Sequence, residues 1–322
     1  MIRAASSLSR ALRRLGRPVF MLHRVLPSAL QSYLPEMAVS RDLFQDFLAW
    51  LTANYKVTSL ENCIEPGDNS AQACALTFDD GWRDVYLYAF PSMVKFGVTA
   101  TVFVPTEFVG TTRRFWQERL HFCLTQARTS GDGSVRAKLE VLAGRHALSE
   151  KQPHYGAMRR ALLKVPSHAA EAFVSDLETA IGTEANCSGP AFMNWDEVRT
   201  MSKAGFAFGS HTLNHVLLTR TDVESAVKEI VQSRDELEAR LGTTADSFSY
   251  PWGANNSSIE HHVRLAGYRY AVTTVDRLAP ARVNPIAIPR VFVSDSIMSH
   301  DGKFSAAKLE WHLARLGLKS LF

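Results

Sequence analysis

Ala73-Cys74-Ala75-Leu76-Thr77-Phe78-Asp79-Asp80-Gly81 is the stretch on which the reading of this chain turns. The apolar run Ala73 to Phe78 has the length and composition of a buried strand. Gly81 breaks it, so two carboxylates stand at the strand's C-terminal end. In barrels of parallel strands and helices, that end is where chemistry is placed. A second strand-like run, Phe206 to Ser210, leads into His211-Thr212-Leu213-Asn214-His215. One carboxylate and two imidazoles make a metal set with open positions, suited to activating water. The second carboxylate is available as a base. Taken singly, Asp-Asp-Gly is ordinarily a turn and His-x-x-x-His two surface histidines. Together they are far more specific, because both pairs end strands and both are flanked by small residues.

Outward from these runs, strand and helix signals alternate. Val19–Leu22, Ala73–Phe78, Thr99–Val104, 206–210, 246–250, Tyr268–Thr274 and Ile286–Val293 read as strands. Helices are expected from Ser40 as N-cap through Trp50, over Val85–Phe96 around Pro91, and from Asn194 to Ala204. Further helices follow over Asp222–Leu241, near 257–266 and from Ser305. Such alternation implies a parallel sheet. Residues 111–190 interrupt it with helical, charged sequence and a Ser-Gly-Asp-Gly turn at 130–133, too long for a barrel loop. The expected organisation is a basic helix over 1–16, a barrel from 17–110 and 191–322, and a helical subdomain, 111–190, on the catalytic rim. Phe115-Trp116, at its start, reads as core rather than as a sugar platform. His121, His146, His154 and His168 look too scattered for a site, and His261-His262 reads as a solvated helix pair.

The 322 residues are 46% hydrophobic and 21% charged, an ordinary globular balance with a sizeable core. The net charge of +4 is mild and gives no reason to expect a nucleic-acid partner. Arg3, Arg10, Arg13, Arg14 and Arg17 precede the first acid, Glu36, and are interleaved with leucines. That pattern suits a short amphipathic helix, packed on the barrel or in weak contact with an anionic membrane surface. Pro18 to Leu22 is too short for the apolar core of a secretory signal, and no run reaches the ~20 apolar residues of a membrane span. A cytoplasmic, at most membrane-peripheral, protein is expected. Cys63, Cys74, Cys123 and Cys187 have no metal spacing and read as reduced thiols. There is no P-loop and no Gly-x-Gly-x-x-Gly.

Thr77-Phe78-Asp79-Asp80-Gly81 and Ser210-His211-Thr212-x-x-His215 resemble the first two motifs of the polysaccharide deacetylases, the NodB-homology or carbohydrate esterase family 4 enzymes. Phe248-Ser249-Tyr250-Pro251-Trp252-Gly253 resembles the third. The resemblance extends over about residues 17–295 around the insertion. It implies an α/β fold, a distorted (β/α) barrel of about seven strands. It also implies one divalent metal on Asp80, His211 and His215: zinc, with cobalt, nickel or manganese as alternatives. Asp79 becomes the base. The proton donor, usually a C-terminal histidine, has a superficial match in Ile297-Met298-Ser299-His300-Asp301. Phe20-Met21-Leu22-His23-Arg24-Val25 fits better and resembles the circularly permuted branch, with His23 at the barrel mouth. The arginine usually found just before the third motif's Pro-aromatic pair is missing, with Ser249 nearby, so Arg290 is expected to orient Asp79 instead. Asp276 is a weaker match to the acid that tunes a histidine. Tyr250, Pro251 and Trp252 would form the substrate and oxyanion wall. The implied activity is removal of N-acetyl groups from amino sugars of a glycan or lipid-linked saccharide. An O-acetyl esterase and a glycan-binding protein without catalysis are the alternatives.

Overall fold

The computed structural model describes residues 16–65, 73–129, 137, 138, 141, 142, 144, 154–182 and 191–319. The basic segment before Gly16, with its expected membrane contact, the turn at 130–133, His146 and Cys187 lie outside the described residues. Seven parallel strands close a barrel: β1 (Val19–Leu22), β2 (Ala73–Phe78), β3 (Thr101–Val104), β4 (Ala207–Ser210), β5 (Ser247–Ser249), β6 (Tyr270–Asp276) and β7 (Ile288–Phe292). Their order around it is β1-β7-β6-β5-β4-β3-β2, and β1 then pairs with β2. The closing strand is held on both sides, Phe20 opposite Val291 and Val19 opposite Ala75. A two-residue strand, Lys56–Val57, flanks β2 outside the ring.

Parallel strands covered by helices are buried on both faces, so they read as unbroken apolar runs. Every residue of β1, β2 and β3 is buried accordingly. The covering helices are α1 (Arg41–Asn54), α2 (Phe90–Lys95), α6 (Trp195–Lys203), α7 (Val223–Leu241), α8 (Ser257–Leu265) and α9 (Ala306–Lys319). Between β3 and β4 lie α3 (Trp116–Thr129), α4 (Tyr155–Leu162) and α5 (Ser167–Ile181), with further helical residues at 137, 138, 141, 142 and 144. They share an apolar cluster of their own, including Leu120, Cys123, Met158, Phe173 and Leu177. Arg119 ties α3 to α5 through Glu171 at 2.8 Å and Glu178 at 2.6 Å.

Some elements differ from the sequence reading. Ser40 precedes α1 but its hydroxyl does not cap it; Asp295 accepts from the Ser40 backbone N–H at 2.8 Å. The expected helix over Val85–Phe96 starts as a wide π turn, Val85–Ala89, before α2. Pro91 has no N–H to give the preceding turn, which accounts for the break. β6 starts at Tyr270 rather than Tyr268, because Gly267 takes φ +91° in the turn ahead of it. Cys63, Cys74 and Cys123 are free and buried. No helix among the described residues is long and apolar enough to cross a membrane.

Candidate active site

The C-terminal ends of β1, β2, β4, β5 and β7 converge on one mouth. The Asp79 N–H donates to the Leu22 carbonyl at 3.0 Å, pinning the end of β2 to β1. Asp80 (φ 72°) and Gly81 (φ 67°) then take left-handed conformations in succession, which turns the chain sharply beneath the carboxylates. Thr212, His215 and Trp252 also have positive φ, so four of the five described non-glycine residues in this costly region gather at the mouth; the fifth, Asp301, is in an exposed hairpin turn. A Trp with positive φ is a marked outlier, and such outliers persist only where the surroundings over-determine them.

Asp80, His211 and His215 bring one ligand atom each to within 4.8 Å of one another. The imidazole Nε2 atoms lie 3.4 Å (His211) and 3.3 Å (His215) from Asp80 Oδ1. His211 Nδ1 sits 2.7 Å from the Ser249 carbonyl, which can only accept. Nδ1 therefore donates to that carbonyl, which aims Nε2 at Asp80. The Trp82 indole donates to Asp80 Oδ2 at 2.9 Å, leaving Oδ1 to the imidazoles. Phe115 stacks on the His215 ring at 4.3 Å. Two oriented nitrogens and one oxygen, three protein ligands in all, match a catalytic zinc-type donor set.

Beside this set, Arg290 grips Asp79 with two bonds, Nη1 to Oδ1 at 2.7 Å and Nη2 to Oδ2 at 2.6 Å. Its other donors reach the Thr273 carbonyl at 2.8 Å, the Thr77 hydroxyl at 3.1 Å and the Ser249 hydroxyl at 3.3 Å. The guanidinium thus comes from β7, and Ser249 leaves room for it. Burial pushes the Asp79 carboxyl up, and Arg290 more than offsets this, holding it below the ordinary range. His23 is 7% exposed, and its Nδ1 has no hydrogen-bond partner among the described residues. Burial lowers its pKa, against the fields of Asp80 and Asp79.

His300 is elsewhere: it is 75% exposed, in a two-stranded hairpin, with Asp301 at 3.0 Å. Asp276 does not face the site histidines. It accepts from the Phe292 N–H at 3.1 Å and lies 3.7 Å from Nε2 of His312, a buried residue the sequence reading overlooked. Tyr250 must be withdrawn from the substrate wall. Its ring is fully buried, its hydroxyl donates to the Ile286 carbonyl at 2.9 Å, and its N–H is spent on the Val272 carbonyl. A residue directly after a parallel strand still belongs to the sheet, and here its side chain points into the core. Pro251 is buried, while the half-buried Trp252 ring stands 6.1 Å from that of His215.

Sequence reasoning missed the roof. Tyr33 lies 6.4 Å from Trp82 and 6.1 Å from His121, and His121 meets Tyr155 edge-on at 5.2 Å. Burial pushes Glu118 up to about 7, although Arg24 and Arg114 pull the other way. These residues come from separate helices and a loop, so no spacing joins them in the sequence. A cleft of about 840 Å³ runs between α3–α5 and the loop after β4, with His215, Trp252 and Trp116 in its wall.

The polysaccharide deacetylase family model matches residues 67–150 and 154–271. No curated protein matches the chain. Among solved structures, the Streptococcus pyogenes deacetylase PplD in complex with acetate is 18% identical, with a TM-score of 0.58 over 88% of this chain and 94% of that one. IcaB from Ammonifex degensii is 18% identical, TM-score 0.56, covering 94% of this chain and 97% of that one. A de-N-acetylase from Aggregatibacter actinomycetemcomitans is 15% identical, TM-score 0.56, covering 92% and 99%. At these identities the likeness is one of fold.

Proposed function

The chain belongs to the polysaccharide deacetylase family, and from that membership we propose that it is a metal-dependent hydrolase removing N-acetyl groups from amino sugars of a glycan or glycolipid. The observation carrying this reading is the meeting, at one barrel mouth, of the Asp80–His211–His215 set and the Arg290-clamped Asp79.

Asp80, His211 and His215 would hold one divalent cation, zinc by the donor chemistry, with cobalt, nickel or manganese also suited. Bound there, such a cation would lower the pKa of water and polarise an acetyl carbonyl. Asp79 takes the water's proton. Arg290 keeps it ionised and fixed in direction, and a carboxylate has about four lone-pair sites, so two guanidinium bonds leave others open. His23 gives a proton to the departing nitrogen from the β1 side of the mouth. The Trp252 backbone N–H supports the developing oxyanion, and its ring lies against the sugar.

The test is acetate release from N-acetylated and O-acetylated saccharides, with and without a chelator. Chelator-sensitive release from the N-acetylated set supports the proposal. Release from the O-acetylated set alone would make the protein an esterase using the same atoms. Saccharide binding with no release from either would leave only a glycan-binding protein.

A further inference from the structure

The chain leaves the barrel mouth along two neighbouring segments, and one ion pair joins them. After β1 it runs His23-Arg24-Val25, and after β2 it runs Asp80-Gly81-Trp82-Arg83-Asp84. Asp84 is 5% exposed, and the first segment engages both of its oxygens. Oδ2 accepts from Arg24 at 2.8 Å through Nε and lies 2.8 Å from Nη2 as well. Oδ1 accepts from the Val25 N–H at 3.0 Å. The Arg24 guanidinium in turn lies 4.3 Å from the centre of the Trp82 ring.

Each of these contacts leads to a residue the chemistry needs. Trp82 donates its indole N–H to Asp80, so a cation over the ring steadies the plane from which that bond is made. On the other branch, His23 stands between two pinned neighbours. The Leu22 carbonyl accepts from the Asp79 N–H, and the Val25 N–H is spent on Asp84. His23 Nδ1 has no hydrogen-bond partner among the described residues, so the backbone on either side does much to aim the ring. Only a planar cation suits both branches. Arg24 offers its edge to the carboxylate and its face to the indole, which a lysine ammonium cannot do.

We propose that Arg24 and Asp84 are positioning residues that fix the proton donor His23 and the metal ligand Asp80 relative to each other. Neither touches the reacting atoms. The His23 branch rests on the hydrolase reading above; the Asp80 branch needs only the metal set.

The experiment uses the full chain and two conservative variants. Arg24→Lys keeps a cation opposite Asp84 but loses the flat fork. Asp84→Asn keeps an acceptor for the Val25 N–H but loses the carboxylate. Zinc affinity is measured by competition with a chromogenic chelator. Turnover is measured at saturating zinc on an N-acetylated saccharide and on an aryl acetate, whose phenolate departs without a proton. Both variants should bind zinc ~10-fold more weakly. Their kcat on the saccharide should fall ~10–100-fold with KM little changed, and should fall less on the aryl acetate. Trp82→Phe separates the branches: it should weaken zinc without changing the ratio of the two turnover rates. If Asp84→Asn does not fold, Arg24→Lys decides alone. Unchanged zinc affinity together with an unchanged ratio overturns the proposal, even where thermal stability drops, because the pair then only braces the fold. A change in one readout alone also overturns it, since the pair would not join the two residues. A wild type inactive on both substrates sinks the hydrolase reading and the His23 branch with it, and the Asp80 branch then stands or falls on zinc affinity.

Discussion

Trp82 shows how single residues are arranged around the charge at this mouth. Its indole N–H occupies one oxygen of Asp80 and so presents the other to the two imidazoles. Trp82→Phe keeps the stack on Phe192, at 4.7 Å, but frees the carboxylate to rotate. Metal affinity should fall ~10–100-fold, the usual effect of removing a group that orients a ligand; competition with a chromogenic chelator measures it, and unchanged affinity would refute the role. Glu118 gives a pH prediction. Burial raises its folded value to about 7, above its unfolded value. Between the two values the folded protein binds the extra proton, so stability falls as pH rises through that window. Glu118→Gln should flatten this part of the curve and gain most over wild type above pH ~7. Denaturant melts at pH 5, 6, 7 and 8 would show it; parallel curves for the two proteins would place Glu118 in water. That Asp79, Asp80 and His211 meet at one mouth was legible from sequence because they stand where apolar runs end. Glu118 was not, since its partners stand far away along the chain and its helix reads as charged and solvated.

At the level of elements, the site depends on how the chain re-enters the barrel after α5. The Met193 N–H donates to the Gly81 carbonyl, at 3.0 Å, and Asn194 then caps α6. The capping box is complete: the Asn194 side chain accepts from the Glu197 N–H at 2.9 Å, and Glu197 accepts from the Asn194 N–H at 3.0 Å. Glu197 also accepts from Arg83 at 2.8 Å, tying α6 to the turn after Asp80. Asn194→Ala should therefore cost about 1 kcal/mol of stability. Denaturant unfolding checks the value, and a loss under a few tenths of a kcal/mol would mean solvent replaces the cap. This helix start was readable from Asn194 and Glu197, as were the starts of α7 at Asp222 and α8 near Asn256, because their side-chain oxygens bond the first turn. Ser40 carried the same signal, but Asp295, distant in sequence, takes its donors. The barrel strands were readable because burial on both faces leaves no polar interruption. Tyr250 misled for the same reason: the apolar run continues past the last paired residue, so the sequence does not mark where side chains stop facing the core.

The whole molecule is a ring that β1, the first strand among the described residues, closes, and on the proposed reading this sets where the general acid comes from. β1 inserts between β7 and β2, so His23 arrives at the mouth directly opposite the Asp79-Asp80 turn. Its electrostatic neighbours are Asp80, Asp79, Arg290 and His211, the site itself. His300 follows the last barrel strand but stands in an exposed hairpin with Asp301 as its company. If the proton for the leaving nitrogen passes through His23, then His23→Ala should lower turnover on an N-acetylated saccharide ~10²–10⁴-fold, with KM changed little. His300→Ala should stay within about twofold of wild type, since an exposed side chain outside the mouth touches nothing that reacts. An aryl acetate distinguishes proton donation from simple loss of packing. Its phenolate departs without a proton, so His23→Ala should lose much less on that substrate than on the amide. Equal losses on both would make His23 a structural residue. A crippled His300→Ala beside an active His23→Ala would move the acid to the far end of the chain, and β1 would then only close the barrel.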